Sequence, residues 1–254
     1  MTIHLKQFTD VPNAGDRASS LVASHVAGDD VRIIGEDPCE EPNLIGIGSI
    51  LHWADAHSVV WGTGFISEAI GLAAAPKAIA AVRGHLTRER LERLGIRCPL
   101  SVGDPGVFIP DLFPPRTRTI PLGIIPHYVD AQETFVQNAR DAGAEVLDVF
   151  SPMEDFLGEL SSCHRIISSS LHGLVFAHAY GIPAAWVTLS SNVHGNGFKF
   201  LDYYSSIGVP RERVRSFGPT DSLSRIADGC DLPPTPIDKD GLGRALQQWL
   251  PALT

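Results

Sequence analysis

Short apolar runs and amphipathic segments alternate along residues 120–208 of this 254-residue chain. The runs IPLGIIPHY, AEVLDVF, HRIIS and PAAWVTL are typical of buried strands, and segments such as AQETFVQNARDAG are typical of the helices between them. Strands that alternate with helices at this spacing form a parallel sheet with helices on both faces. The second half is therefore predicted to be an α/β layer that binds its ligand at the carboxyl ends of the strands.

The first half alternates less regularly, although three apolar runs lie between residues 43 and 84. The segment DLFPPRTRT, residues 111–119, is rich in proline and charge and is the best candidate for a linker. We therefore predict two Rossmann-like α/β domains that face a cleft. The predicted N-terminal domain covers residues 1–118, and the predicted C-terminal domain covers residues 119–254.

The formal net charge of −9 argues against a nucleic acid or an anionic membrane as the general partner, although a cleft can still hold an anion. No apolar run reaches the ~18 residues of a membrane span, and MTIHLKQF has no signal-peptide pattern. We expect a cytoplasmic protein, which would lie at the inner membrane face if its substrate is lipid-linked. The sequence leaves open whether it forms an oligomer. No metal and no cofactor are expected, because no cluster has ligand spacing. Reduced, structural roles are expected for the four cysteines, Cys39, Cys98, Cys163 and Cys230.

The segment SSSLHGLVFAHAYGIP joins a short predicted strand to an apolar helix. Ser169 and Ser170 lie at the helix N-terminus, His172 lies in the first turn, and Gly173 permits a close backbone approach. The helix dipole there stabilises an anion and lowers the pKa of a histidine, while a bound phosphate raises it again. This arrangement suits a proton carrier. Serine capping beside a satisfied surface histidine explains the same residues equally well.

Three basic side chains stand near predicted strand ends or between apolar residues. Arg83 follows an apolar run, where a guanidinium can bind phosphate or carboxylate in a bidentate manner, or can form a buried ion pair. Lys199 lies between two phenylalanines, so its ammonium either faces a cleft or extends from an amphipathic helix into solvent. His127 ends the predicted strand IPLGIIPHY and is a candidate ligand contact.

Glycine-rich segments follow other predicted strands. In NAGD, Asn13 and Asp16 flank backbone amides that can hold an anion or a sugar hydroxyl; alternatively, Asp16 caps the next helix. WGTGF supplies Gly62 and Gly64, but Ser67 stands where a dinucleotide fingerprint has its third glycine, so we exclude a nicotinamide site. GDPGVF is typical of a turn.

Taken in order, eight segments resemble the polysaccharide pyruvyltransferase family, in detail its exopolysaccharide ketal-pyruvyltransferase branch: NAGD, GIGSIL, VWGTGF, AVRGHLTRERL, GDPGVF, GIIPHYVD, SSSLHGLVFAHAYGIPAAWV and FKFLDYYSSIG. The resemblance implies a two-domain fold similar to GT-B glycosyltransferases, with the acceptor side and part of the donor site in residues 1–118 and the donor site in residues 119–254. It implies phosphoenolpyruvate as the donor substrate and a pair of sugar hydroxyls as the acceptor. It also implies that Arg83, His172 and Lys199 contact the donor.

We therefore expect a transferase that moves a pyruvyl group from phosphoenolpyruvate to two hydroxyls of a polysaccharide or its precursor, free or lipid-linked, and forms a pyruvate ketal. Two alternatives stay open: a GT-B-type glycosyltransferase or epimerase that uses a nucleotide sugar, and a non-catalytic partner in polysaccharide assembly. His172 is the candidate catalytic acid and base. The candidate substrate-binding residues are Arg83, Lys199, Ser169, Ser170, Gly173, His127, Asn13, Asp16, Gly62 and Gly64.

Overall fold

The computed structural model describes residues 2–37 and 39–253. Its strands form two five-stranded sheets in which every pair of neighbouring strands is parallel. The first sheet contains β1 (Thr2–Lys6), β2 (Asp30–Ile34), β3 (Asn43–Ile45), β4 (Ser58–Trp61) and β5 (Ala78–Ala81). The second contains β6 (Gly123–Ile125), β7 (Glu145–Val146), β8 (Ile166–Ser168), β9 (Ala184–Val187) and β10 (Ser216–Phe217).

The strand order is β2-β1-β3-β4-β5 in the first sheet and β10-β9-β8-β6-β7 in the second. Strands β4, β6, β8 and β9 are buried along their whole length, as expected for parallel strands covered by helices on both faces. The predicted fold class, two Rossmann-like α/β layers, is confirmed. The α-helices are α1 (Ala14–Ala27), α2 (His85–Arg93), α3 (Ile109–Leu112), α4 (Thr134–Asp141), α5 (Met153–Ser161), α6 (Leu171–Ala179), α7 (Phe198–Ser206), α8 (Leu223–Asp228) and α9 (Lys239–Trp249).

The first helix shows how the local sequence sets an element boundary. Asn13 is the N-cap of α1, and its side-chain oxygen accepts hydrogen bonds from the amides of Gly15 at 3.0 Å and Asp16 at 3.3 Å. The alternative in which Asp16 caps this helix is therefore wrong. Asp16 instead lies in the first turn, where an acidic side chain is stabilised by the helix dipole.

The two sheets share one continuous hydrophobic core, which includes Ile3 and Trp61 from the first sheet and Phe176 from α6. After the second sheet the chain returns, and α9 packs against β4 and β5. The indole nitrogen of Trp61 donates a 2.9 Å hydrogen bond to the carbonyl of Leu242 in α9. The domain boundary between residues 118 and 119 stays a prediction.

None of the helices formed by residues 2–37 and 39–253 is both long and apolar enough to cross a membrane. The longest of those helices, α1, has 14 residues, whereas a membrane-spanning helix needs about 20.

Candidate functional site

A cavity of about 330 Å³ lies where loops that follow the strands of both sheets come together. Loops after β1 and β3 line it from the first sheet, and loops after β6 and β8 line it from the second. Its lining includes six of the residues expected at the site from the sequence: Asn13, Asp16, His127, Ser170, His172 and Lys199. The structure therefore brings together residues that are up to 186 positions apart (199 − 13).

The other five candidate residues do not line the cavity and lie in the structure around it. Ser169 accepts a 2.9 Å hydrogen bond from the amide of His127 through its hydroxyl oxygen. Gly173 lies against the hydroxyl of Ser168, where a Cβ atom would come within 2.3 Å of the oxygen. The last three, Arg83, Gly62 and Gly64, are buried behind the cavity.

His172 is the second residue of α6, and its side chain is 13% exposed. Burial lowers the pKa of His172 to about 3, and the nearby charges of Lys199, Arg83 and His127 lower it further in the same direction. The imidazole is therefore neutral near pH 7. A neutral imidazole at a helix N-terminus can accept a proton from a substrate hydroxyl.

A buried carboxyl that we did not select from the sequence faces this imidazole. Asp104, the N-cap of a short 3₁₀ turn in GDPGVF, accepts a 2.9 Å hydrogen bond from the amide of Gly106 through Oδ1. Its Oδ2 lies 3.8 Å from Nε2 of His172. Neither of these two atoms has a hydrogen-bond partner among the described residues. Burial raises the pKa of Asp104 to about 6.

Gly15 provides the space that His172 occupies. A Cβ atom at this position would lie 2.1 Å from Nδ1 of the imidazole, which is too close for any side chain. The glycine of NAGD is therefore needed for α1, in the first half of the chain, to approach α6, in the second half.

Lys199 and Asp16 line the same cavity, and both have shifted pKa values. Burial and the charge of Arg83 lower the pKa of Lys199 to about 8, while Asp16 and Asp130 counter this shift. Its ammonium lies 5.6 Å from the centre of the Phe200 ring. Burial raises the pKa of Asp16 to about 7, despite a hydrogen bond that the side-chain Nδ2 of Asn13 donates to Oδ2 of Asp16.

Arg83 occupies a different environment from Lys199. Its fully buried guanidinium donates from Nε to Oδ2 of Asp202 at 3.0 Å, from Nη2 to the carbonyl of Phe65 at 2.7 Å, and from Nη1 to the hydroxyl of Ser49 at 2.6 Å. Asp202 also accepts from the amide and the hydroxyl of Thr87. The buried ion pair, one of the two alternatives for Arg83, is therefore present. A direct contact of Arg83 with the donor stays a prediction.

Two glycines of the first half make room for this network. At Gly64 a Cβ atom would lie 2.6 Å from Nη2 of Arg83, and Gly62 combines a φ of +88° with close contact to Pro105. Glycine is needed at these two positions because the ion pair and the adjacent turn pack too closely to leave room for a side chain. A ligand contact by either glycine stays a prediction.

A family model described as polysaccharide pyruvyl transferase matches residues 54–191, more than half of the chain. The chain belongs to the polysaccharide pyruvyl transferase family. Within this family match lie Asp104, His127 and His172, together with Arg83. Asn13, on the other side of the cavity, lies outside the matched range, as do Asp16 and Lys199.

Two curated proteins are similar to this family member over most of its length. An uncharacterized protein of Acanthamoeba polyphaga mimivirus is 30% identical over 227 residues, which cover 85% of this chain and 78% of the viral protein. The succinoglycan biosynthesis protein ExoV of Rhizobium meliloti (strain 1021) is 28% identical over 178 residues, which cover 66% of this chain. That second match spans 55% of the length of ExoV.

Proposed function

We propose that this pyruvyl transferase family member moves the pyruvyl group of phosphoenolpyruvate onto two hydroxyls of one sugar unit in an exopolysaccharide or its precursor. The observation that carries the proposal is the placement of His172, Lys199 and Asp16 around one small cavity. The cavity, about 330 Å³, has room for a three-carbon donor beside one sugar ring. Similarity to a succinoglycan biosynthesis protein supports an exopolysaccharide as the acceptor.

The donor carries a phosphate and a carboxylate, so it needs a positive field in a protein that is negatively charged overall. Lys199 supplies a charge, and the first turn of α6 adds backbone amides that have no partner within the helix. Ser170 and His127 add neutral polar groups on the same side of the cavity. Together these groups form the donor end of the cavity in this proposal.

The reaction needs proton transfers in both directions. The oxygen of the first sugar hydroxyl attacks C2 of the donor, and a proton is added to the C3 methylene, which becomes a methyl group. The C2–O bond to phosphate then breaks, and the second hydroxyl attacks C2 and loses its proton. Overall, one diol and one phosphoenolpyruvate give one pyruvate ketal and one inorganic phosphate.

The shifted pKa values divide these roles between two side chains. His172 is neutral near pH 7 and so has a ring nitrogen free to accept the proton of an attacking hydroxyl, and the phosphate of a bound donor would raise its lowered pKa toward the range of an effective base. Asp16, whose pKa burial raises to about 7, can carry a proton near neutral pH and is suited to donate it to C3. His172 therefore acts as the base in this proposal, and Asp16 as the acid.

Asp104 is a positioning residue in the same proposal. Its Oδ2 lies 3.8 Å from Nε2 of His172, beyond hydrogen-bond distance in this structure. In the proposal the two atoms approach when substrate binds, and a proton held on Nε2 leaves Nδ1 as the nitrogen that accepts from the substrate. A carboxyl that sets the tautomer of an imidazole in this way also stabilises the imidazolium that forms during transfer.

The test is an incubation of the purified protein with phosphoenolpyruvate and a panel of acceptor glycans. We expect equimolar release of phosphate and a glycan whose mass has increased by one pyruvate less one water. Consumption of a nucleotide sugar without phosphoenolpyruvate would contradict the proposal and favour a glycosyltransferase or epimerase. Absence of donor binding in a folded sample would favour a non-catalytic role in polysaccharide assembly. A cytoplasmic location, where phosphoenolpyruvate is produced, belongs to the same proposal; a lipid-linked acceptor would place the protein at the inner membrane face.

A further inference from the structure

The cavity has two chemically different ends. The donor end contains Lys199 and the neutral imidazoles of His127 and His172. A second group of lining residues comes from loops of the first half and contains aromatic and polar side chains: Phe8, Glu36, His52 and Trp53. We refer to these four residues as the aromatic end. No lysine or arginine of the described chain lines it.

The aromatic end presents ring surface that the protein core does not cover. Trp53, Phe8 and His52 are only half-buried, and all three line the cavity. The Phe8 ring centre lies 6.3 Å from that of Trp53 at an interplanar angle of 36°. His52 meets Trp53 nearly edge-on at 5.9 Å. Half-buried aromatic rings beside a cavity offer a ligand a broad apolar surface. Their side chains are already held in place, so they lose little conformational freedom when a ligand binds.

The backbone that carries Trp53 is anchored from below. The fully buried ammonium of Lys6 donates a 2.9 Å hydrogen bond to the carbonyl of Trp53 and pairs with Asp55 at 2.7 Å. Trp53 is also the last residue of a 3₁₀ turn, Leu51–Trp53. The indole is therefore held on a fixed backbone rather than on a mobile loop.

Polar groups at the same end have unused hydrogen-bonding capacity. Nδ1 of His52 is buried and has no partner among the described residues. The carboxylate of Glu36 is exposed and also lines the cavity. The carboxylate of Glu36 disfavours a second anion here. A ligand with hydroxyl groups can donate to that carboxylate and bond with Nε2 of His52, since the buried Nδ1 is out of its reach.

We propose that Trp53 and Phe8 form the platform on which the acceptor sugar ring stacks, and that His52 and Glu36 hydrogen-bond to its hydroxyls. A pyranose has an apolar face of C–H groups and a rim of hydroxyls, which matches an aromatic surface flanked by an imidazole and a carboxylate. A ring stacked there projects its reacting hydroxyls toward His172 across the same cavity. This inference rests on the proposed function, because it places the acceptor beside the donor end.

The first experiment compares Trp53→Ala with Trp249→Ala, which truncates another half-buried tryptophan, in α9, outside the cavity lining. With phosphoenolpyruvate and the acceptor identified by the incubation above, Trp53→Ala should raise the KM for acceptor at least tenfold. Its Kd for phosphoenolpyruvate, measured by calorimetry, should stay within about twofold of the parent. Trp53→Phe should recover most of the loss. An unchanged acceptor KM, or equal losses for both tryptophan variants, overturns the platform.

The second experiment does not depend on turnover. Methyl glycosides of galactose, glucose and mannose are titrated against the parent protein and His52→Ala, a variant that leaves Trp53 in place, with saturation-transfer NMR as the readout. Binding of at least one neutral glycoside, weakened in His52→Ala and not displaced by inorganic phosphate, supports the platform even if phosphoenolpyruvate is never consumed. No glycoside binding, or binding that phosphate displaces, overturns it. The proposed function fails by a different result, namely that the parent protein does not bind phosphoenolpyruvate.

Discussion

Two buried acid–base pairs lie close to the cavity, and they differ in how completely they are hydrogen-bonded. In the pair of Arg83 and Asp202, the charged groups meet at 3.0 Å and are surrounded by further partners. In the pair of His172 and Asp104, the facing atoms are 3.8 Å apart and have no other partner among the described residues. A fully bonded pair is a structural element, whereas a pair with unused capacity can exchange a proton when a ligand arrives.

The largest expected effect comes from the pair with unused capacity. His172→Gln keeps a hydrogen-bonding side chain but removes the proton carrier, so the transfer rate should fall by about 10²–10⁴-fold. The Kd for phosphoenolpyruvate should change much less, because Lys199 and the helix amides remain. Steady-state kinetics together with calorimetry separate these two quantities.

The matched control is the exposed histidine His164. His164→Gln should leave both the transfer rate and the donor affinity unchanged. If the transfer rate of the His172→Gln protein were within a few-fold of the parent's, His172 would only orient the substrate. The difference in hydrogen bonding between the two pairs would then have no catalytic consequence.

The second prediction addresses the fully bonded pair through stability. Asp202→Asn preserves size but leaves the guanidinium of Arg83 buried without a counter-charge, which should cost about 3–5 kcal/mol of unfolding free energy. Glu68→Gln removes one partner of an exposed pair with Arg211, 3.1 Å apart, and should cost no more than about 1 kcal/mol. Denaturant titration measures both. Equal losses of unfolding free energy in the two variants would show that buried Arg83 does not need Asp202 as its counter-charge. Arg83 would then be a candidate for direct binding to the donor.

The smallest effect concerns the pH dependence of donor binding. Lys199 has a pKa lowered to about 8, so its ammonium is charged below that pH and loses its proton as the pH rises through 8. Phosphoenolpyruvate affinity should therefore fall over that range, by about tenfold if one charge-assisted contact is lost. Calorimetry between pH 7 and 9 measures this, since phosphate monoesters titrate near pH 6 and are already ionised there. Lys199→Met should bind more weakly at pH 7 and show a shallower profile, whose remaining slope comes from ionisation of Asp16, with its pKa of about 7. An unchanged slope in that variant would assign the titration to a group other than Lys199.

The sequence was sufficient to predict the parallel α/β layers, because strand and helix periodicities are local. The lengths of the strands were not predictable to the same degree. The run at residues 120–128 suggested a long strand, yet β6 covers only Gly123–Ile125. Pro126 follows directly and has no amide hydrogen to donate to a sheet, so the apolar run extends beyond the hydrogen-bonded strand.

For the site, the sequence showed which residue types stood near strand ends, but it did not show which of them are paired. The partner of Arg83 is 119 positions away, on α7, and nothing near Arg83 in the sequence identifies it. Asp104 belongs to a turn motif, GDPGVF, in which an aspartate is expected as the N-cap. The sequence therefore offered no reason to assign it a chemical role. Long-range pairing depends on how the helices and sheets pack, which local patterns do not contain.

The return of α9 to the first sheet means that the polypeptide passes between the two layers twice, once before β6 and once after α8. Two covalent crossings and a hydrophobic core that both sheets share hold the layers together. A cut in the chain at either crossing would therefore leave the two halves joined through the other crossing and through the core.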